Sequence, residues 1–192
     1  MWRRIGYAGL TASVLAVSIT ATAQRPEPSL DAPFVPTSEA AVEAMLKLAD
    51  VKKTDIIYDL GCGDGRIVIA AAKTYGARGV GIDIDPERIK EAIQNARKAG
   101  VSKLVRFEEK DLFQADIHSA TVVTLFLLPR INLQLRPKLL RELKPGARIV
   151  SNTFDMGDWK ADKRLTLPGD DGSDATFLSH KLYLWIVPPN TK

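Results

Sequence analysis

The sequence predicts an α/β domain in which a mostly parallel sheet carries helices on both faces, and three stretches predict it. Residues 55–60 form an apolar, β-branched run that meets glycine at every second position, Gly61, Gly63 and Gly65, before the helix-competent residues 66–73. That is a buried strand, a tight corner and a helix, the unit that presents main-chain N–H groups at the carboxyl edge of a parallel sheet. A second strand, 78–85, carries Asp83, an acid 24 positions after Asp59. Residues 121–128 are apolar at almost every position, as a central strand buried on both faces should be.

Taken in order, residues 24–37 hold prolines at 26, 28, 33 and 36 and read as an extended linker. Within it Pro33-Phe34-Val35-Pro36-Thr37 is apolar and rigid, suited either to a linker packed by its Phe or to a lid over a ligand. Thr37 or Ser38 can cap a helix over 39–49, whose Ala41, Met45 and Leu48 share a face. Helices follow the first two strands at 64–75 and 86–99, the latter capped by Asp85, begun by Pro86 and closed by Gly100. A short third strand covers 104–108. Pro129 ends the fourth strand, and a helix over 131–143 carries Leu133, Leu139, Leu140 and Leu143. Pro145-Gly146 turns the chain into a fifth strand at 147–154. A long charged loop, 155–175, contains a short strand near 163–167, and 177–187 forms the last strand.

At 192 residues the chain is one domain with a tail. The formal charge of +4 includes Arg3 and Arg4, so the chain beyond residue 23 carries only +2, too weak a balance to argue for nucleic acid. Cys62 is the single cysteine, which excludes an internal disulfide. Residues 1–23 open with Met1-Trp2-Arg3-Arg4, continue uncharged from Ile5 to Thr22 and end in Ala21-Thr22-Ala23, the pattern of a signal peptide or N-terminal anchor. The expectation is therefore an exported, periplasmic or membrane-tethered protein.

The glycine spacing selects among ligands. A dinucleotide fingerprint needs a third glycine where Arg66 stands, and a P-loop needs Gly-Lys-Ser/Thr. Asp59, Gly61, Gly63 and Gly65 instead match D/E-x-G-x-G-x-G, and in this the chain resembles the class I S-adenosylmethionine (SAM)-dependent methyltransferases. The resemblance implies a Rossmann-like fold, a seven-stranded sheet in the order 3-2-1-4-5-7-6 with strand seven antiparallel, and SAM as cofactor. It also implies roles for the acids: Asp59, beside Tyr58, and the glycine loop hold the methionine part, while Asp83, followed by Ile84, takes the ribose hydroxyls. Asp111 meets the adenine amino group and Leu112 packs on the ring.

The acceptor side is expected after strands four and five, at residues 126–129 and 154–159. Adenine or glutamine amino-methylation would use Asn/Asp-Pro-Pro-Tyr/Phe, but Leu127-Leu128-Pro129-Arg130 stands there. Cytosine C5 chemistry needs a cysteine in the acceptor site, whereas Cys62 lies in the glycine loop. Asp155 and Asn152 make a thin match to a metal-dependent catechol site, so no metal is expected. His118 and His180 lie near no motif and are expected to be surface or packing residues.

Pro33-Phe34-Val35-Pro36-Thr37, the 59–68 motif, Phe126-Leu127-Leu128-Pro129 and residues 139–151 together resemble the small membrane-anchored protein-lysine methyltransferases, over roughly 33–160. Mitochondrial members of that group modify the ring-forming membrane component of ATP synthase and the adenine nucleotide translocase. This resemblance implies a protein lysine acceptor, on a membrane protein in the mitochondrial examples, and sets Phe34, Pro36, Thr37, Phe126 and Pro129 around the active site. Trp159 and Phe154 join Phe126 as candidate rings of an apolar lysine pocket, whose desolvation would favour the neutral amine. The alternatives are a small-molecule O- or N-methyltransferase and a SAM-binding protein without turnover.

Overall fold

The computed structural model describes residues 35–168 and 181–189. The signal or anchor segment 1–23, Phe34, Phe177 and His180 lie outside the described residues. The described elements run α1 (Glu39–Leu48), β1 (Ile56–Leu60), α2 (Arg66–Tyr75), β2 (Arg78–Asp83), α3 (Pro86–Lys98) and β3 (Val105–Glu109), then β4 (Val122–Leu125), α4 (Pro129–Glu142), β5 (Arg148–Asn152), β6 (Lys163–Thr166) and β7 (Lys181–Ile186). They build one sheet in the order β3-β2-β1-β4-β5-β7-β6. β7 is antiparallel to both its neighbours, and the other pairs are parallel. The expected order and the antiparallel last strand are both present.

Strand alternation divides the core in two. Ile57 faces one layer with Met45, Leu46, Val68 and Ala71 of α1 and α2, while Tyr58 and Leu60 face the other with Ile131, Leu135 and Leu139 of α4. β5 repeats the split, with Ile149 on the α4 side and Val150 on the other. Each fully buried aliphatic side chain contributes about 1.5–3 kcal/mol, so both layers hold the sheet. The successors of β1 lie on its two sides: β2 directly through α2, and β4 after the chain has crossed to β3. Ligands of such sheets bind where the order reverses, outside the carboxyl ends.

The caps explain the helix starts. Ser38, not Thr37, caps α1, its Oγ accepting from Ala41 N at 3.3 Å. Asp85 Oδ1 accepts from Glu87 N at 2.8 Å, and Pro86 begins α3. Pro129 opens α4 rather than standing before it, because a proline at the first helical position loses no intrahelical donor. Of the leucines on this helix, Leu133 is 48% exposed. The buried stripe is set by Ile131, Leu135 and Leu139 at four-residue spacing, which leaves a residue two positions on facing outward. Among the described residues no helix is long and apolar enough to cross a membrane.

Candidate functional site

At the carboxyl end of β1 the chain doubles back against β2. Gly61 N and Cys62 N both donate to the Ile82 carbonyl, at 2.8 and 2.9 Å, and Gly65 N donates to Cys62 O at 2.9 Å. Gly61 adopts φ +82, and a Cβ there would sit 2.8 Å from Leu127 Cδ2. Gly65 adopts φ +79 as the N-cap of α2, where a Cβ would meet the Phe107 ring at 2.7 Å. Only glycine satisfies the left-handed backbone and the close contact together.

A cleft opens beside this corner, walled by Asp59, Gly61, Asp83, Asp111 and Phe126 among others. Asp59 is 2% exposed; its Oδ1 accepts from Thr124 Oγ1 at 2.7 Å, and no cation is among its described partners. Burial raises its pKa to about 7, the Thr124 hydroxyl pulls it down, and the charges of Asp83 and Asp64 push it up further. Asp83 at the tip of β2 accepts from Gly63 N through Oδ2 at 2.8 Å and from Asp85 N through Oδ1 at 3.0 Å. Each oxygen keeps further acceptor capacity, and Asp83 lines the cleft, enough to take a pair of hydroxyls. Asp111 accepts from Phe113 N at 2.9 Å, and this turn sets Leu112 and the 36% exposed Phe113 on the cleft wall near the 40% exposed Ile84.

Sequence-predicted residues divide cleanly. Asp59, Gly61, Asp83, Ile84, Asp111, Leu112, Pro36, Thr37 and Phe126 line the cleft. Gly63 and Gly65 are buried behind it as its frame. Tyr58 belongs elsewhere: its side chain turns to the α4 face, where its hydroxyl lies 3.0 Å from Ser119 Oγ and accepts from Arg106 Nη2 at 3.3 Å. The parity of the strand sends Tyr58 and Asp59 to opposite faces.

The three-ring pocket is not assembled. Trp159 packs on Trp185, centroids 6.0 Å apart, and its carbonyl accepts from Trp185 Nε1 at 2.8 Å. Phe154 is half-buried and does not line the cleft; its carbonyl accepts from Ser151 Oγ at 2.7 Å and from Asn132 Nδ2 at 3.3 Å. Pro129 is exposed as the first residue of α4 and does not line the cleft. Of the residues expected after strands four and five, Phe126 and Leu127 line the cleft, and Ile131 of α4 joins them.

Sequence reasoning misses Asp64, Arg66, Arg88 and Lys110, all on the cleft wall. Asp64 and Arg66 sit inside the motif itself, and their place among the glycines is the signal that could have found them. Cys62 also lines the cleft, but burial, with Asp59 and Asp83 beside it, pushes its thiol far above the usual range and leaves it inert. His118 is exposed, its Nδ1 2.7 Å from Asp116 Oδ1. Five carboxylates (Asp59, Asp64, Asp83, Asp85, Asp111) face three cations (Arg66, Arg88, Lys110) around the cleft, which suits a cationic guest.

Comparison with known proteins follows the same lines. Residues 59–163 match the family model described as the ANTKMT methyltransferase domain. A protein-lysine N-methyltransferase of Saccharolobus islandicus is 44% identical over 156 residues, 81% of this chain and 93% of that protein. The adenine nucleotide translocase lysine N-methyltransferase of Mus musculus is 35% identical over 131 residues, 68% of this chain but only 57% of that longer protein. Among solved structures, one described as an RNA methyltransferase from Salinibacter ruber in complex with S-adenosyl-L-homocysteine is 52% identical, with a TM-score of 0.75 over 82% of this chain and 97% of that one.

Proposed function

The chain belongs to the ANTKMT methyltransferase domain family, and from that premise we propose that it is a SAM-dependent protein-lysine N-methyltransferase. The cleft fits the cofactor on its own chemistry. A buried carboxylate with no cationic partner among the described residues, Asp59, matches a ligand that carries its own positive charge. Asp83 offers two acceptors to the ribose hydroxyls, and Asp111 with Leu112, Phe113 and Ile84 offers an apolar slot and an acceptor to the base. SAM supplies a methyl group on a sulfonium, already a good leaving group, so the protein has chiefly to align and to exclude water.

Phe126, Leu127 and Ile131 make the apolar part of the same wall. A lysine amine must be neutral to attack, and its ordinary pKa of about 10.4 leaves it charged in water near pH 7. Apolar contact lowers that value by desolvating the ammonium form. The acidic balance of the cleft draws the ammonium in, and the apolar wall favours its free base. The same acidic balance opposes an RNA phosphate backbone, whose binding needs clustered Lys and Arg.

The observation that carries the acceptor class is the 44% identity to a protein-lysine N-methyltransferase across nearly the whole of that relative. The Salinibacter protein's description makes RNA the competing acceptor. Purified full-length chain with radiolabelled SAM, offered separate protein and RNA fractions, decides between them. Label in acid-stable methyl-lysine supports this reading, and label in RNA alone overturns it. Residues 1–23 extend the proposal to an exported or membrane-tethered enzyme acting on a membrane-associated protein. Fractionation of cells expressing the full chain and a chain lacking 1–23 tests that extension.

A further inference from the structure

Arg66 is the first residue of α2, directly after the glycine corner. A cation there opposes the helix dipole, so its placement needs another reason. Its guanidinium supplies one. Nε donates to Asp64 Oδ1 at 3.0 Å and Nη2 to Asp64 Oδ2 at 2.6 Å, a two-pronged grip on the carboxylate. Nη1 turns the other way and donates to the Thr37 carbonyl at 2.6 Å, across 29 residues of sequence. Asp64 is fixed in turn, since Asn95 Nδ2 donates to its carbonyl at 3.1 Å.

The segment gripped is part of the cleft. Val35, Pro36 and Thr37 line it, Thr37 is 4% exposed, and Ser38 immediately begins the cap of α1. Val35 is 57% exposed and Pro36 is exposed, so little packing holds this strap down. Where the strap enters α1 it is tied twice among the described residues, by the Ser38 cap and by the Arg66 guanidinium on the Thr37 carbonyl, the latter rooted in the glycine loop. The geometry points to Arg66 as a positioning residue: it holds residues 35–37 as a wall of the cofactor site and couples that wall to the corner that receives the cofactor. The inference rests on the reading that this cleft takes SAM. It gives the strap a specific closure, and it gives Arg66 a role where a dinucleotide fold would have required glycine.

The test uses the full chain, with S-adenosylhomocysteine as probe in calorimetry, hydrogen exchange of the 35–42 amides, and steady-state kinetics. In the wild type the probe should bind and protect the strap amides. Arg66→Gln should weaken binding by about ten- to a hundredfold, abolish the added protection at the Val35, Thr37 and Ser38 amides (Pro36 has none), and raise KM for SAM more than it lowers kcat. Arg66→Lys keeps the charge and stem but not the planar fork, so it should fail to restore both contacts and should follow Gln. It also serves as the second variant if the Gln protein is unstable. Full affinity and full strap protection in either folded variant overturn the inference while leaving the cofactor reading intact. Lost affinity with strap protection unchanged overturns it as well, because Arg66 would then act on the ligand alone. A wild type without affinity for the probe removes the cofactor reading and the inference with it.

Discussion

A carboxylate enclosed by protein, as Asp59 is, shifts toward its neutral form, and this has opposite consequences for stability and for function. Its pKa is about 7 in the fold against 3.8 in an open chain. The folded state therefore holds the extra proton, and stability falls as pH rises from about 4 to about 7, then stays level. The accumulated cost above that window is about 4 kcal/mol, taking each unit at 1.36 kcal/mol. Asp59→Asn keeps an oxygen for Thr124 and removes the buried charge, so the ligand-free variant should melt higher than wild type at pH 8. The same variant should bind SAM at least a hundredfold more weakly, since the cationic ligand loses its counter-charge. For the wild type, SAM affinity should rise with pH up to about 7 and then level, with proton release on binding below that point. Calorimetry in buffers of different ionisation heat measures both, and a pH-independent affinity sinks the role given to Asp59. At Gly65 the constraint is steric: Ala there would meet the Phe107 ring at 2.7 Å and Ala92 Cβ at 2.9 Å with φ +79. Gly65→Ala should cost about 2–4 kcal/mol, read as a fall in denaturant midpoint.

Elements of the sheet are joined at the edge opposite the cleft by one polar cluster. Arg148, opening β5, donates through Nη1 to the Ala49 and Asp50 carbonyls at 2.7 and 3.0 Å, closing the end of α1. Its Nη2 pairs with Asp55, which also accepts from Thr121 Oγ1 and Lys52 N, each at 2.7 Å. Asp55 is 5% exposed, so removing its partner strands a nearly buried charge. Arg148→Ala should lose about 2–4 kcal/mol and lower Tm by roughly 5–15 °C. SAM affinity, set at the other edge, should stay within about twofold; a large loss would show the two edges to be coupled. None of this cluster is legible in the sequence, because it joins residues 93 apart whose meeting depends on strand order. The elements themselves are legible, since apolar runs bounded by glycine and proline mark them. Their facing is less so: the motif draws Tyr58 into the cleft, when strand parity sends it to the α4 face, and the leucines of α4 do not by themselves reveal the Ile131, Leu135, Leu139 stripe that is buried. The acids at strand ends are legible because position at a strand tip fixes where a side chain goes. Trp159 is not, because its place depends on how a loop folds onto Trp185.

The whole molecule is basic, with a formal charge of +4, while its cleft has more carboxylates than cations. That contrast separates acceptors. A lysine side chain approaches the cleft as a cation and must lose its proton before transfer, so two titrations govern the reaction at low SAM. Below about pH 7 the rate falls with the charge on Asp59 and with the neutral fraction of the amine together. Between about 7 and 10 the amine goes on titrating, and kcat/KM should climb close to tenfold per pH unit toward the free lysine value near 10.4. Replacing the acceptor lysine by S-aminoethylcysteine, whose amine is less basic, should move the upper break down and leave the lower one in place. Added salt should weaken acceptor binding by screening the acid-lined mouth, with little effect on the level of kcat. An acceptor that reacts through an oxygen, or through a base that is neutral throughout this range, gives no rise above pH 7 that tracks the amine. A profile flat from 7 to 10, unmoved by the aminoethyl substitution, would remove lysine as the acceptor and leave the cofactor cleft to another chemistry.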